Sequence, residues 1–205
     1  MAICIGLLLA ALPAQAEITR FGPFAVDSDE PQIIHLAGDI GIDAARAFRA
    51  ALEAFPDLSV VTLDSNGGAT FVAAAIGVEV GRRGMSTAVL SGDGCYSACP
   101  LIFFAGESRA ALGAIGVHQI SFPRGVPLAP EDVQFGVARY LEVLIRLDLH
   151  PEVILAAIGT PPDRMHVFTR AEIEEWGIEH EPEIALALLG WAPVPYGQEG
   201  ARQPR

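Results

Sequence analysis

The sequence predicts an α/β fold, and three observations carry that prediction. Short apolar runs alternate with amphipathic segments from Gln32 to Trp176. The run Leu58–Leu63 (LSVVTL) is almost continuously apolar, as parallel strands covered on both faces are. Connections are short and rich in glycine or proline, so strand–helix–strand units with mostly parallel strands follow.

Taken in order, Gln32–Ala37 reads as a strand and Gly38–Gly41 as a turn. Asp43 is an expected N-cap for a helix reaching Phe55, where Pro56 stops it. The strand Leu58–Leu63 runs into Asp64-Ser65-Asn66-Gly67-Gly68, whose glycines allow close backbone approach. A helix is predicted from Thr70 to Arg83, ended by Gly84, then a strand over Ser86–Leu90. The loop Ser91–Gly94 leads through Cys95-Tyr96-Ser97-Ala98-Cys99 to a short buried helix at Pro100–Ala105. Ala114–Ile120 reads as a strand, Pro130–Leu147 as a long amphipathic helix and Pro151–Ile158 as another. The loop Thr160–Asp163 and a last helix at Arg170–Trp176 follow. Residues 190–205 have a tail's composition and are expected to be disordered.

Composition excludes several chemistries. All 13 basic residues of the 205 are Arg, against 25 acidic ones, for a net charge of −12. Without Lys there is no P-loop, no Schiff base and no Ser–Lys dyad. The acidic balance, with Arg dispersed, argues against nucleic acid as a partner. No histidine pair has H-x-x-x-H or H-E-x-x-H spacing, so no metal site is expected, and no cofactor is called for.

Residues 1–16 carry no charge, and the apolar run Ala2–Leu12 is 11 residues long. That suits a signal-peptide core and is too short to span a bilayer. Pro13 breaks the run, and Ala14-Gln15-Ala16 fits a cleavage site before Glu17. The expectation is a periplasmic or secreted domain over 17–189; the missing basic start leaves an uncleaved membrane anchor as the alternative. Two cysteines then remain, Cys95 and Cys99, readable as a disulfide or as two small buried thiols.

Ligands of such sheets bind beyond the carboxyl ends of the strands. Three predicted loops meet there, carrying Gly67-Gly68, Ser97 and His118. A Ser at a strand-to-helix turn has helix-start N–H groups beside it, and a neighbouring His can serve as its base. The plain alternative is an N-cap serine and a packed histidine.

Order and spacing add a resemblance. Ser65-Asn66-Gly67-Gly68 resembles the S-P-G-G turn of the Clp protease proteolytic subunit, and Cys95-Tyr96-Ser97-Ala98 stands at the place of its nucleophile. Gly116-Val117-His118-Gln119 is similar to its strand ending in His-Gln, and Phe168–Ile178 to its closing motif, in which A-x-E-Y-G-L is typical. The combination with C-x-S-A-C and an export signal resembles the secreted Clp-protease-like proteins of bacteria. The resemblance covers about residues 32–180 and implies the crotonase-like ββα superhelix. It implies Ser97 as nucleophile, His118 as base, and the N–H groups of Gly67 and Ala98 as an oxyanion hole. The family's Asp falls on Thr160 or Pro161, so Asp163 is the nearest carboxylate for a third member. The implied function is an exported serine peptidase or related hydrolase acting on peptide or protein, able to form homo-oligomers. No ATPase partner is expected in a periplasm. The alternatives are a non-catalytic binding or scaffold protein of this fold and a crotonase-type acyl-CoA enzyme.

Overall fold

The structure is a computed structural model that describes residues 16–122 and 127–190. The expected signal segment, except Ala16, and the expected tail from Trp191 onward lie outside the described residues.

The chain opens with a hairpin, β1 (Ile18–Phe21) and β2 (Phe24–Asp27), that turns at Gly22-Pro23. Neither strand was expected, because four-residue edge strands carry too few alternations to stand out. β3 (Ile33–Ala37) pairs antiparallel with β2, and α1 (Ala44–Ala54) follows it. Asp43 does precede α1, but its side chain caps no N–H; it is held 3.0 Å from Arg46 instead. β4 (Val60–Asp64), α2 (Thr70–Arg82) and β5 (Ser86–Val89) complete two right-sized strand–helix units.

The remaining elements are β6 (Gly94–Tyr96), α3 (Pro100–Phe103), β7 (Arg109–Ala111), β8 (Ala114–Val117), α4 (Pro130–Arg146), α5 (Pro151–Gly159), β9 (His166–Val167), α6 (Arg170–Glu175) and α7 (Pro182–Leu188). One sheet has the order β1-β2-β3-β4-β5-β7, and its β3–β4, β4–β5 and β5–β7 pairs are parallel. The second sheet is β6-β8-β9, parallel in its first pair and antiparallel in its second. The fold is therefore mixed α/β, with more antiparallel pairing than the sequence suggested.

The main core lies between the first sheet and helices α1 and α2. Ile34, Leu36, Val61 and Leu63 face Phe48, Ile76 and Val80 there, all essentially without exposure. Ala88 and Ala110 on the opposite face are small, and α7 packs Ala185 against them. A parallel bridge between Ser65 and Cys95 joins the end of β4 to β6. The second sheet thus continues from the carboxyl end of the first, which is where the site lies.

Candidate active site

Ser97 stands between the end of β6 and the start of α3, half-buried, with φ +60°. An L-residue is seldom found in this left-handed region, and it stays there only when its surroundings fix it. Here they do. The Ser97 N–H donates to the Gly116 carbonyl at 2.9 Å, and the Tyr96 N–H to that of Ser65 at 2.9 Å. Cys95 and Cys99 are joined in a disulfide and fully buried, so the bridge closes over Tyr96-Ser97-Ala98. Of the two readings left open by spacing, the structure has the disulfide. Pro100 begins α3, where a missing N–H costs nothing.

β8 ends at Val117, because its pairing with β9 ends at Val117–His166. His118 therefore leaves the strand, three residues earlier than the predicted end, and turns toward β6. Its Nε2 lies 2.7 Å from Ser97 Oγ. The next residue fixes this exit: the Gln119 N–H donates to the Thr160 carbonyl at 2.9 Å, and its Nε2 to the Ile158 carbonyl at 2.7 Å. Nothing in the sequence singled out Gln119 for that clamp.

The glycine loop needs a correction. The Gly67 N–H already donates to Ser65 Oγ at 3.1 Å, which takes it out of an oxyanion hole. The Gly67 carbonyl accepts from the Ile40 N–H at 2.7 Å. In a trans peptide the carbonyl oxygen and the following N–H point to opposite sides, so this bond aims the Gly68 N–H away from Ile40. Gly68 lines the cavity in front of Ser97, together with Ala98 and His118. Among the described residues neither the Gly68 nor the Ala98 N–H has an acceptor. Both glycines are required. A Cβ on Gly67 would stand 2.6 Å from the Tyr96 carbonyl oxygen, and one on Gly68 only 2.4 Å from that of Ile40. Their φ angles, +97° and +141°, are also ones that side chains resist.

The expected third member is not in place. Asp163 is exposed in the turn before β9 and makes no hydrogen bond with His118. The His118 Nδ1 is buried and has no hydrogen-bond partner among the described residues. Gln119 grips the end of α5 and the residue after it through the main-chain carbonyls of Ile158 and Thr160.

The other histidines are accounted for by structure. His35 bonds Thr62 Oγ1 at 2.6 Å, and His150 caps α5 by accepting from the Glu152 N–H. His150 and His166 stack on either side of the Trp176 ring with centroids 6.3 Å away, while His180 bridges to Arg109. Among the described residues, no three His, Cys, Asp or Glu side chains are grouped to hold a metal ion. No helix among them is long and apolar enough to cross a membrane.

The cavity before Ser97 has a volume of about 350 Å³, with Phe71, Val72, Ile120, Phe122 and Tyr140 in its walls. Among the described residues, its titratable lining groups are His118 and Tyr140. Burial pushes the Tyr140 hydroxyl up to about 12, so it stays neutral. An imidazole on a serine hydroxyl beside two N–H groups without an acceptor among the described residues can attack a carbonyl and hold the resulting oxyanion.

No protein-family model matches the chain, and no curated protein matches it.

Proposed function

We propose that the protein is a serine hydrolase of the crotonase-like fold, with Ser97 as nucleophile and His118 as base. The observation that carries this reading is the 2.7 Å contact between His118 Nε2 and Ser97 Oγ. It gains support from the free N–H groups of Gly68 and Ala98 beside it. Ser97 Oγ adds to the carbonyl carbon of a bound acyl group while its proton passes to Nε2. The oxyanion forms between the two N–H groups, with Gly68 in the role first given to Gly67. The disulfide beside the nucleophile supports an oxidising compartment, hence the periplasmic or secreted placement.

A second reading, a non-catalytic binding protein, draws on an Nδ1 without a partner among the described residues and on the missing hydrogen bond from His118 to Asp163. Labelling with a fluorophosphonate decides between them. Adduct formation on the wild type that disappears in Ser97→Ala supports the hydrolase. A wild type that is folded and inert to the probe would overturn it.

A further inference from the structure

The two ends of the His118 ring are not equivalent, and the difference bears on which acyl compounds the site can turn over. Nε2 is in contact with Ser97 Oγ at 2.7 Å. Nδ1 is buried without an acceptor among the described residues. Once Nε2 has taken the serine proton the ring is an imidazolium, with a proton on each nitrogen. The Nδ1–H is then a charged donor shut away from water with nothing to receive it, and such a group is costly to leave unpaired. In a Ser–His–Asp site the carboxylate meets this need; here no side chain among the described residues does.

The consequence depends on the leaving group. An amide nitrogen cannot leave as an anion, so the imidazolium must persist and deliver its proton before the C–N bond breaks. An ester oxygen whose conjugate acid is fairly strong leaves without waiting for that proton. We infer that the site acts on esters of apolar acids rather than on peptide bonds, the proton from Ser97 being of little help to the leaving group. This rests on the serine hydrolase reading and narrows its substrate class away from the peptides that the resemblance implied.

The cavity is consistent with that class. Its volume of about 350 Å³ is walled by Phe71, Val72, Ile120, Phe122 and Tyr140. Among the described residues its lining carries no Asp, Glu or Arg, and Phe71, Val72, Ile120 and Phe122 suit a short apolar acyl chain.

The steps balance without a co-reactant other than water. The Oγ–C bond forms as the Oγ proton moves to Nε2. The C–O bond to the leaving group then breaks, giving the acyl-serine, and the departed alkoxide takes the Nε2 proton, directly or through water, which restores the neutral imidazole. Water adds to the acyl carbon and gives one proton to Nε2; the C–Oγ bond breaks and Oγ is reprotonated. Ester and water have become acid and alcohol.

The test uses the full chain with p-nitrophenyl hexanoate, ethyl hexanoate and hexanoyl p-nitroanilide, beside a Ser–His–Asp peptidase on the same substrates. Ser97→Ala supplies the background for each. The expected result is serine-dependent turnover of the p-nitrophenyl ester, with kcat/KM falling steeply through the ethyl ester to the anilide. The ratio of p-nitrophenyl ester to anilide should exceed that of the peptidase by about tenfold or more. A ratio below that margin overturns the inference and leaves the hydrolase reading standing. Ester turnover equal to that of Ser97→Ala, with no probe adduct, overturns both.

Discussion

The two sides of the catalytic pair differ in how much of the fold is devoted to them. Around Ser97 nearly every backbone group is engaged: Ser65 and Gly116 accept from its strand, Ile40 holds the glycine loop, and a disulfide closes the turn. Around the far edge of His118 the ring nitrogen is buried and has no partner among the described residues. Nucleophile geometry and oxyanion binding depend on the first region, and stabilisation of the charged base on the second. On the proposed hydrolase reading, this favours attack on a carbonyl over assistance to a departing group.

The largest effects should come from breaking the contact that both regions share. Ser97→Ala and His118→Ala should each lower ester turnover by roughly a thousandfold or more, and their double variant no further, because the two act as one unit. Probe labelling and kcat/KM measure this. If His118→Ala keeps wild-type reactivity, the 2.7 Å contact is structural and the base assignment fails.

Next comes the glycine loop. Gly68→Ala places a Cβ 2.4 Å from the Ile40 carbonyl oxygen, at a φ of +141° that alanine resists. The Gly68 peptide must turn, and losing one oxyanion donor costs on the order of a hundredfold in kcat with little change in KM. Ser65→Ala removes only the acceptor for the Gly67 N–H, so it should cost less, about tenfold. Equal losses for the two variants would mean that Gly67, not Gly68, faces the oxyanion.

The disulfide should matter more to reactivity than to stability. Its loop spans only residues 95 to 99, so chain-entropy stabilisation is limited to about 2 kcal/mol. The Cys95→Ala/Cys99→Ala variant should melt only slightly lower yet label several-fold more slowly, as Ser97 relaxes from φ +60°. Denaturation of the native protein without reductant should release no thiol from Cys95 or Cys99.

These elements also show what could be read from sequence. The tandem glycine, the serine turn and the histidine strand were legible because each depends on residue type at a fixed offset. The longer elements, Ile33–Ala37, Val60–Asp64 and Thr70–Arg82, were found to within a few residues, since core-facing periodicity specifies them. The opening hairpin and the short strands at Arg109–Ala111 and His166–Val167 were missed, because pairing partners, not local pattern, create strands this short. Choosing Gly68 over Gly67 needed the Ile40 and Ser65 bonds, which join loops far apart in the chain. The place of Asp163 likewise depends on how Gln119 grips the end of α5.

The apolar wall of the cavity can be probed by pH. Burial raises the Tyr140 hydroxyl to about 12 from its usual 10. Below pH 10 the residue is neutral in both folded and unfolded chains, so its contribution is constant there. Between pH 10 and 12 the unfolded chain loses that proton first, and stability falls by up to roughly 2 to 3 kcal/mol. Denaturant midpoints should therefore decline across this interval in the wild type and less steeply in Tyr140→Phe. Parallel curves would place the hydroxyl in contact with water.

The smallest effect is expected where the family pattern would expect a large one. In a Ser–His–Asp site, replacing the carboxylate by its amide costs about ten-thousandfold in kcat. Here Asp163 is exposed and does not reach His118, whose Nδ1 lacks any partner among the described residues. Asp163→Asn should therefore leave ester turnover within about twofold of wild type, the range expected of a surface change away from the site. Turnover is the measurement, with the melting temperature as a check on folding. A loss of a hundredfold or more in a folded variant would mean that the Thr160–Asp163 loop swings in during turnover and completes a triad. The bare nitrogen would then belong to a resting state, and the preference for esters over amides would lose its physical basis.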